Sequence, residues 1–140
     1  MHSERRALLR ALSCAAAAAA AIGCDLLQPS ATAPIDGEWK FDAVQSCATG
    51  APCLQTHGSL TLTENTGTLT GVAHLAGEPG LAADTTLVGG YRQGASIGFF
   101  IATCNLVGMV YNDSGTFMRG DYHCGAVAGT WNAVRPQTAS

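Results

Sequence analysis

Charge is scarce in this 140-residue sequence: Asp, Glu, Lys and Arg together make up 12%, and the seven Lys and Arg are outnumbered by ten acids. Three of the seven, Arg5, Arg6 and Arg10, stand in the first ten residues. From Cys24 onward, Lys40, Arg92, Arg119 and Arg135 are four basic side chains against nine acids, a formal net charge of −5. Non-specific nucleic-acid affinity comes from clustered Lys and Arg that neutralise phosphates. With no such cluster after Arg10, nucleic acid is not an expected partner.

Helical periodicity is also lacking. After Asp36 no stretch carries apolar residues at i, i+3, i+4 and i+7 for long enough to make a helix, whereas short runs bounded by Gly, Asn and Asp recur. The longest apolar run, Ala11 to Gly23, has 13 residues. A bilayer span needs about 20, so this run is too short to cross and remain. No CxxC or HxxxH spacing is present. That argues against a zinc site built from the cysteines with His57, His74 or His123.

What is there begins with an export layout: a positive start, an apolar stretch and small residues at its end. A buried Ala-rich helix is the bland alternative, but uninterrupted Ala offers little side chain to pack. Ala21-Ile22-Gly23-Cys24 resembles the lipobox of bacterial lipoproteins, with Ala21 where that family usually has Leu. The resemblance implies that residues 1–23 are a cleaved signal and that Cys24 is lipidated and becomes the first residue of the mature chain. The membrane would then be a partner through the lipid on Cys24, in the bacterial cell envelope on its periplasmic or outer-membrane side. Cleavage at an Ala-x-Ala site, which would free a soluble periplasmic protein, is the competing expectation. Arg5-Arg6-Ala7-Leu8-Leu9-Arg10 resembles a twin-arginine export signal, and Asp25 resembles the inner-membrane retention residue of enteric lipoproteins.

Residues 24–35, with two prolines, small residues and no periodicity, read as the anchored cysteine and a flexible tether, residues 36–136 as the folded domain and 137–140 as a tail. Eight strands are expected: GEWKFDAV, GSLTLT, GTLTGVAHL, DTTLVGGY, SIGFFIATC, LVGMVYN, TFMRGDYH and AVAGTWNAV. Short strands of even number joined by tight turns favour an all-β, up-and-down antiparallel barrel, which leaves no exposed strand edge. A β-sandwich of the same strands is the alternative.

Two hairpins can be assigned registers. Around Glu64-Asn65-Thr66-Gly67, Leu62 is set opposite Leu69 and Leu60 opposite Gly71. Around Asp113-Ser114-Gly115, Asn112 pairs with Thr116, which puts Val110 opposite Met118, Gly108 opposite Gly120, Leu106 opposite Tyr122 and Cys104 opposite Cys124. Four cysteines in the domain allow three pairings. The second register selects Cys104 with Cys124 and leaves Cys47 and Cys53 to close the loop CATGAPC. An oxidising compartment suits two such bridges.

The opposite face of the Cys104–Cys124 hairpin carries Asn105, Val107, Met109, Tyr111, Phe117, Arg119, Asp121 and His123. Asn105, Arg119, Asp121 and His123 form the candidate ligand-binding cluster. Its competitor is a solvated outer wall with an Arg/Asp pair. Asp121 and His123 at i and i+2 could support acid–base chemistry, but no nucleophile of matching spacing accompanies them. Gly94-Ala95-Ser96-Ile97-Gly98 matches the G-x-S-x-G pattern, whose chemistry needs a strand-to-helix elbow. No helix follows it, so these glycines read as a turn. No catalytic residue, cofactor or metal is expected.

Gly37-Glu38-Trp39 and Gly129-Thr130-Trp131 frame the domain, and two tryptophans on the strands that close a barrel are expected to plug one end of its core. This framing, with the hairpin LTLTENTGTLTG, resembles the avidin-like and lipocalin-like superfamily of small barrels, whose first strand carries Gly-x-Trp. That resemblance implies a barrel whose mouth takes a small apolar ligand. Opposed glycines at Gly108/Gly120 and along LVGGY would supply the interior space. Gly-x-Trp followed by a cysteine-closed loop also resembles small bacterial barrel inhibitors of metalloproteases, which implies contact with an envelope protein instead. In that second class the core is filled and apolar side chains such as Phe99, Phe100 or Tyr111 lie outside.

Overall fold

The structure, a computed structural model, describes residues 28–47, 53–77 and 81–136. The signal segment, Cys24 and the tail 137–140 lie outside the described residues. Nine strands follow one another: β1 (Gly37–Gln45), β2 (Gln55–Asn65), β3 (Thr68–Ala76), β4 (Asp84–Thr86), β5 (Val88–Gln93), β6 (Ser96–Ile101), β7 (Cys104–Tyr111), β8 (Phe117–Cys124) and β9 (Val127–Val134).

All pairings are antiparallel. The ladder runs from β2 through β1 and β9 back along the chain to β5 and β3, and a β2–β3 pairing closes it. Strands β4 and β5 both pair with β3, at Val72–His74 and at Thr68–Leu69. They occupy one place in the wall, so the barrel has eight positions. The single strand expected over DTTLVGGY is broken at Leu87, which is buried while its amide donates to the Gly71 carbonyl (2.9 Å). Gly89 takes a φ of +62°, and the β5–β6 register shifts between Val88 and Tyr91. A left-handed glycine in a strand is the signature of a bulge. LVGG therefore bends the wall.

Alternation of buried and exposed residues, with period two, puts one apolar face of each strand inside. Trp39, Phe41, Phe99, Tyr122 and Trp131 are each at most 2% exposed and fill the barrel axis. Trp131 stacks on Phe41 (5.9 Å, 19°) and tilts against Phe99 (5.9 Å). Burying side chains of this size stabilises the fold by roughly 2–3 kcal/mol each. The two tryptophans do not share one end of the core, contrary to the expectation from the sequence. Trp39 sits near the start of β1, and Trp131 pairs with Ala43, four residues further along.

The β7–β8 register agrees with the sequence-based one: Leu106 faces Tyr122, Gly108 faces Gly120 and Val110 faces Met118. The first hairpin differs by two residues, since Leu62 faces Gly71 and Leu60 faces Ala73. The turn is Thr66-Gly67, both at positive φ (47° and 83°), as a two-residue type I′ turn requires. A shift of two leaves every side chain on its original face.

The barrel has two distinct ends. One carries both disulfides, Cys47–Cys53 and Cys104–Cys124. The other is held by two arginines. Arg92 donates to the carbonyls of Ser30 (3.1 Å), Ala33 (2.6 Å) and Gly94 (3.0 Å) and to the Glu64 carboxylate (2.9 Å). Arg135 donates to the carbonyls of Pro34 (3.0 Å), Asp36 (2.5 Å) and Gly115 (3.1 Å). Desolvation lowers the Arg135 pKa from its ordinary value, and the Asp36 carboxylate opposes that shift.

These contacts correct the expected flexible tether over its described part, residues 28–35. Residues 28–35 are a strap packed beneath the barrel, with Ala33 and Ile35 fully buried. The strap extends the sheet beside the end of β7: Pro29 bridges Tyr111, the Ser30 amide donates to Val110 O (2.9 Å) and the Asn112 amide to Gln28 O (2.8 Å). Sequence periodicity could not show this, because the strap is held by arginines distant in the chain.

Candidate functional site

On the outer wall, consecutive outward residues of neighbouring strands line up in rows. Tyr91, Gly98, Val107, Asp121 and Thr130 make one row across β5 to β9. Gln93, Ser96, Met109, Arg119 and Asn132 make the next, and Tyr111 with Phe117 the third. Residues of these rows line an open cleft of about 730 Å³.

Two glycines make the cleft floor. Gly108 and Gly120 point inward, where a Cβ on Gly108 would lie 2.7 Å from Cζ2 of Trp131 and a Cβ on Gly120 would strike the Val107 carbonyl. The indole of Trp131 fills the space these glycines leave. Its N–H donates to the carbonyls of Asp121 (3.1 Å) and Val107 (3.3 Å), the outward residues beside the glycine pair. The space expected for an interior ligand is thus taken by a core side chain.

The cleft walls are aromatic. The ring of Tyr91, 44% exposed, lies over Gly98, where no side chain competes with it. Tyr111 and Phe117 are cross-strand partners with rings 5.9 Å apart, and the Arg119 guanidinium stands 5.2 Å from the Tyr111 centroid. A cation over a tyrosine face keeps its N–H edges free for a ligand. Asp121 supplies an acceptor on the other side of the floor.

The candidate cluster read from sequence is divided. Arg119 and Asp121 line the cleft. Asn105 and His123 are exposed partners of each other one row further along, toward the disulfide end. Outward positions on one strand are about 7 Å apart, so the four residues span three rows rather than one point. Tyr91 was not legible as a site residue. The available signal was a tyrosine opposite a glycine, but the bulge in β5 hid that register.

Elsewhere on the wall, His57 Nδ1 is 2.5 Å from Asp42, and His74 Nδ1 is 3.0 Å from Asp84. Both are exposed cross-strand pairs. Among the described residues no three metal-ligating side chains converge. Gly94 takes a φ of +61° in the β5–β6 turn and Ser96 opens β6, so GASIG is a turn and a strand start.

A closed, eight-position, up-and-down barrel is consistent with a calycin-like fold, and its two disulfides are compatible with an extracytoplasmic location. Comparison with known protein families and with curated proteins finds no match for this sequence.

Proposed function

We propose that the chain is a lipid-anchored protein of the bacterial cell envelope whose calycin-type barrel is a non-catalytic binding module. Its binding face is the aromatic cleft on the outer wall. One observation carries this reading: the barrel axis is occupied by Trp39, Phe41, Phe99, Tyr122 and Trp131, whereas Tyr91, Tyr111 and Phe117 turn outward around Arg119. The sequence feature that points to Cys24 as the anchor is the lipobox-like Ala21-Ile22-Gly23-Cys24.

The cleft suits an amphipathic ligand. Aromatic planes take its apolar face, while Arg119 takes an anionic or acceptor group by charge-assisted hydrogen bonds. Such a ligand is a small molecule or the exposed side chains of an envelope protein, and the chemistry of recognition is shared.

Amide chemical-shift mapping with 8-anilinonaphthalene-1-sulfonate, an aromatic anion, tests the site. Shifts are expected at Tyr91, Met109, Tyr111 and Arg119, and Arg119→Ala should weaken binding about tenfold, the value of one charge-assisted hydrogen bond. Shifts centred on Phe41 and Phe99 would return the ligand to the barrel interior. The anchor is tested by mass spectrometry of envelope-extracted protein with and without Cys24→Ala. An unlipidated wild-type N-terminus at another residue defeats it.

A further inference from the structure

The strap fixes where Gln28 stands on the barrel. Gln28 is tied to Asn112 by the amide-to-carbonyl bond, and the next residues are pinned through Pro29, Ser30 and Ala33. The Ser30 hydroxyl adds a bond to the Asp113 carboxylate (3.0 Å). Because the strap runs antiparallel to β7, Gln28 lies beside Asn112, just beyond the last residue of β7, at the end opposite the disulfides.

Cys24 is four residues before Gln28. Four extended residues reach at most about 14 Å. The barrel, with strands of eight or nine residues tilted as closure demands, is roughly 20 Å tall. The leash is therefore shorter than the barrel it holds.

We infer that the strapped end of the barrel faces the bilayer surface, held there by the short leash from lipidated Cys24, with the disulfide end pointing away. The inference rests on the anchor reading given above. It also places the Tyr111–Phe117 side of the cleft nearest the lipid head groups. Electrostatic attraction is not what holds this end down: Asp36, Glu64 and Asp113 there outnumber Arg92 and Arg135, and both arginines are engaged with carbonyls. The orientation is accordingly indifferent to salt, since about 1 M salt shortens screening to roughly 3 Å without lengthening the chain.

The experiment uses full-length acylated protein in phosphatidylethanolamine/phosphatidylglycerol vesicles containing head-group nitroxides. Bimane is attached at Ser114→Cys, in the turn after β7 at the strapped end, or at Thr103→Cys, in the β6–β7 turn at the disulfide end. Quenching at Ser114→Cys with its loss at Thr103→Cys is the expected result, unchanged in about 1 M salt. A flexible Gly/Ser insertion of about twelve residues between Leu27 and Gln28 adds a reach of roughly 20 Å and should abolish the difference. Equal quenching at both positions on protein shown by mass spectrometry to be acylated overturns the orientation and leaves the anchor standing. Absence of acyl chains on Cys24 overturns the anchor, and the orientation with it.

Discussion

The guanidinium of Arg135 stands 4.2 Å from the ring centroid of Trp39. Trp39 in turn donates its indole N–H to the Ile35 carbonyl (2.9 Å). Two residues 96 positions apart in the chain thus join the start of β1, the end of β9 and the strap in one stack. The Arg135 guanidinium also serves the carbonyls of Pro34, Asp36 and Gly115.

Arg135→Leu should therefore cost about 2 kcal/mol, combining a partly shielded cation–π contact with charge-assisted hydrogen bonds. Arg135→Lys should recover less than half, because an ammonium cannot reach the Pro34, Asp36 and Gly115 carbonyls from one plane. Urea unfolding followed by tryptophan fluorescence measures both, and equal stability of Lys and Arg variants would contradict the account.

Arg92 is more critical. Its side chain is 4% exposed and paired with Glu64, which is 26% exposed. Arg92→Met leaves that carboxylate and two strap carbonyls without their donor, a loss of about 3–5 kcal/mol. The strap should come loose before the barrel does. Hydrogen exchange at the Ser30 and Asn112 amides reports this directly, since both are bonded only where the strap meets β7.

Gly108→Ala and Gly120→Ala test the cleft floor. Either Cβ would drive into a neighbouring strand's carbonyl, and at Gly108 into the Trp131 ring as well. Overpacking of this kind costs roughly 1–3 kcal/mol. Gly108→Ala should also shift Trp131 emission by displacing its indole, a change that a surface glycine such as Gly125, with nothing within 4 Å, does not produce.

The two disulfides should contribute unequally. Replacing Cys104 and Cys124 by Ser opens a loop of 20 residues, worth about 3 kcal/mol in chain entropy, against about 2 kcal/mol for the six-residue separation of Cys47 and Cys53. Cys104 is fully buried whereas Cys47 and Cys53 are exposed, so mild reductant should open the Cys47–Cys53 loop first. Mass-tagged thiol trapping over time gives the order.

Much of the barrel was legible because strand patterning is local. Period-two alternation and glycine-bounded runs identify the wall strands. The β7–β8 pairing was readable because one register gathers Cys104, Leu106, Val110, Met118, Tyr122 and Cys124 on a single face. The Leu62 register was not, since Asn65-Thr66 and Thr66-Gly67 both offer a two-residue turn and either keeps Leu60 and Leu62 inward. Half of the candidate cluster, Arg119 and Asp121, meets the cleft, and Asn105 and His123 fall outside it for want of one row along the strand.

Alternation of side chains, turn chemistry and cysteine position are properties of neighbours in the chain, and the sequence alone determined from them an all-β barrel with two specific bridges. Tertiary structure alone decided what fills its middle and what holds the end opposite the disulfides. Trp131 of β9 fills the space beside Gly108 of β7, a strand that is not its neighbour in the chain, and Arg92 and Arg135 reach carbonyls some 60 and 100 residues away. Such long-range satisfaction of buried polar groups depends on closure of the barrel, which brings distant backbone within reach of one side chain.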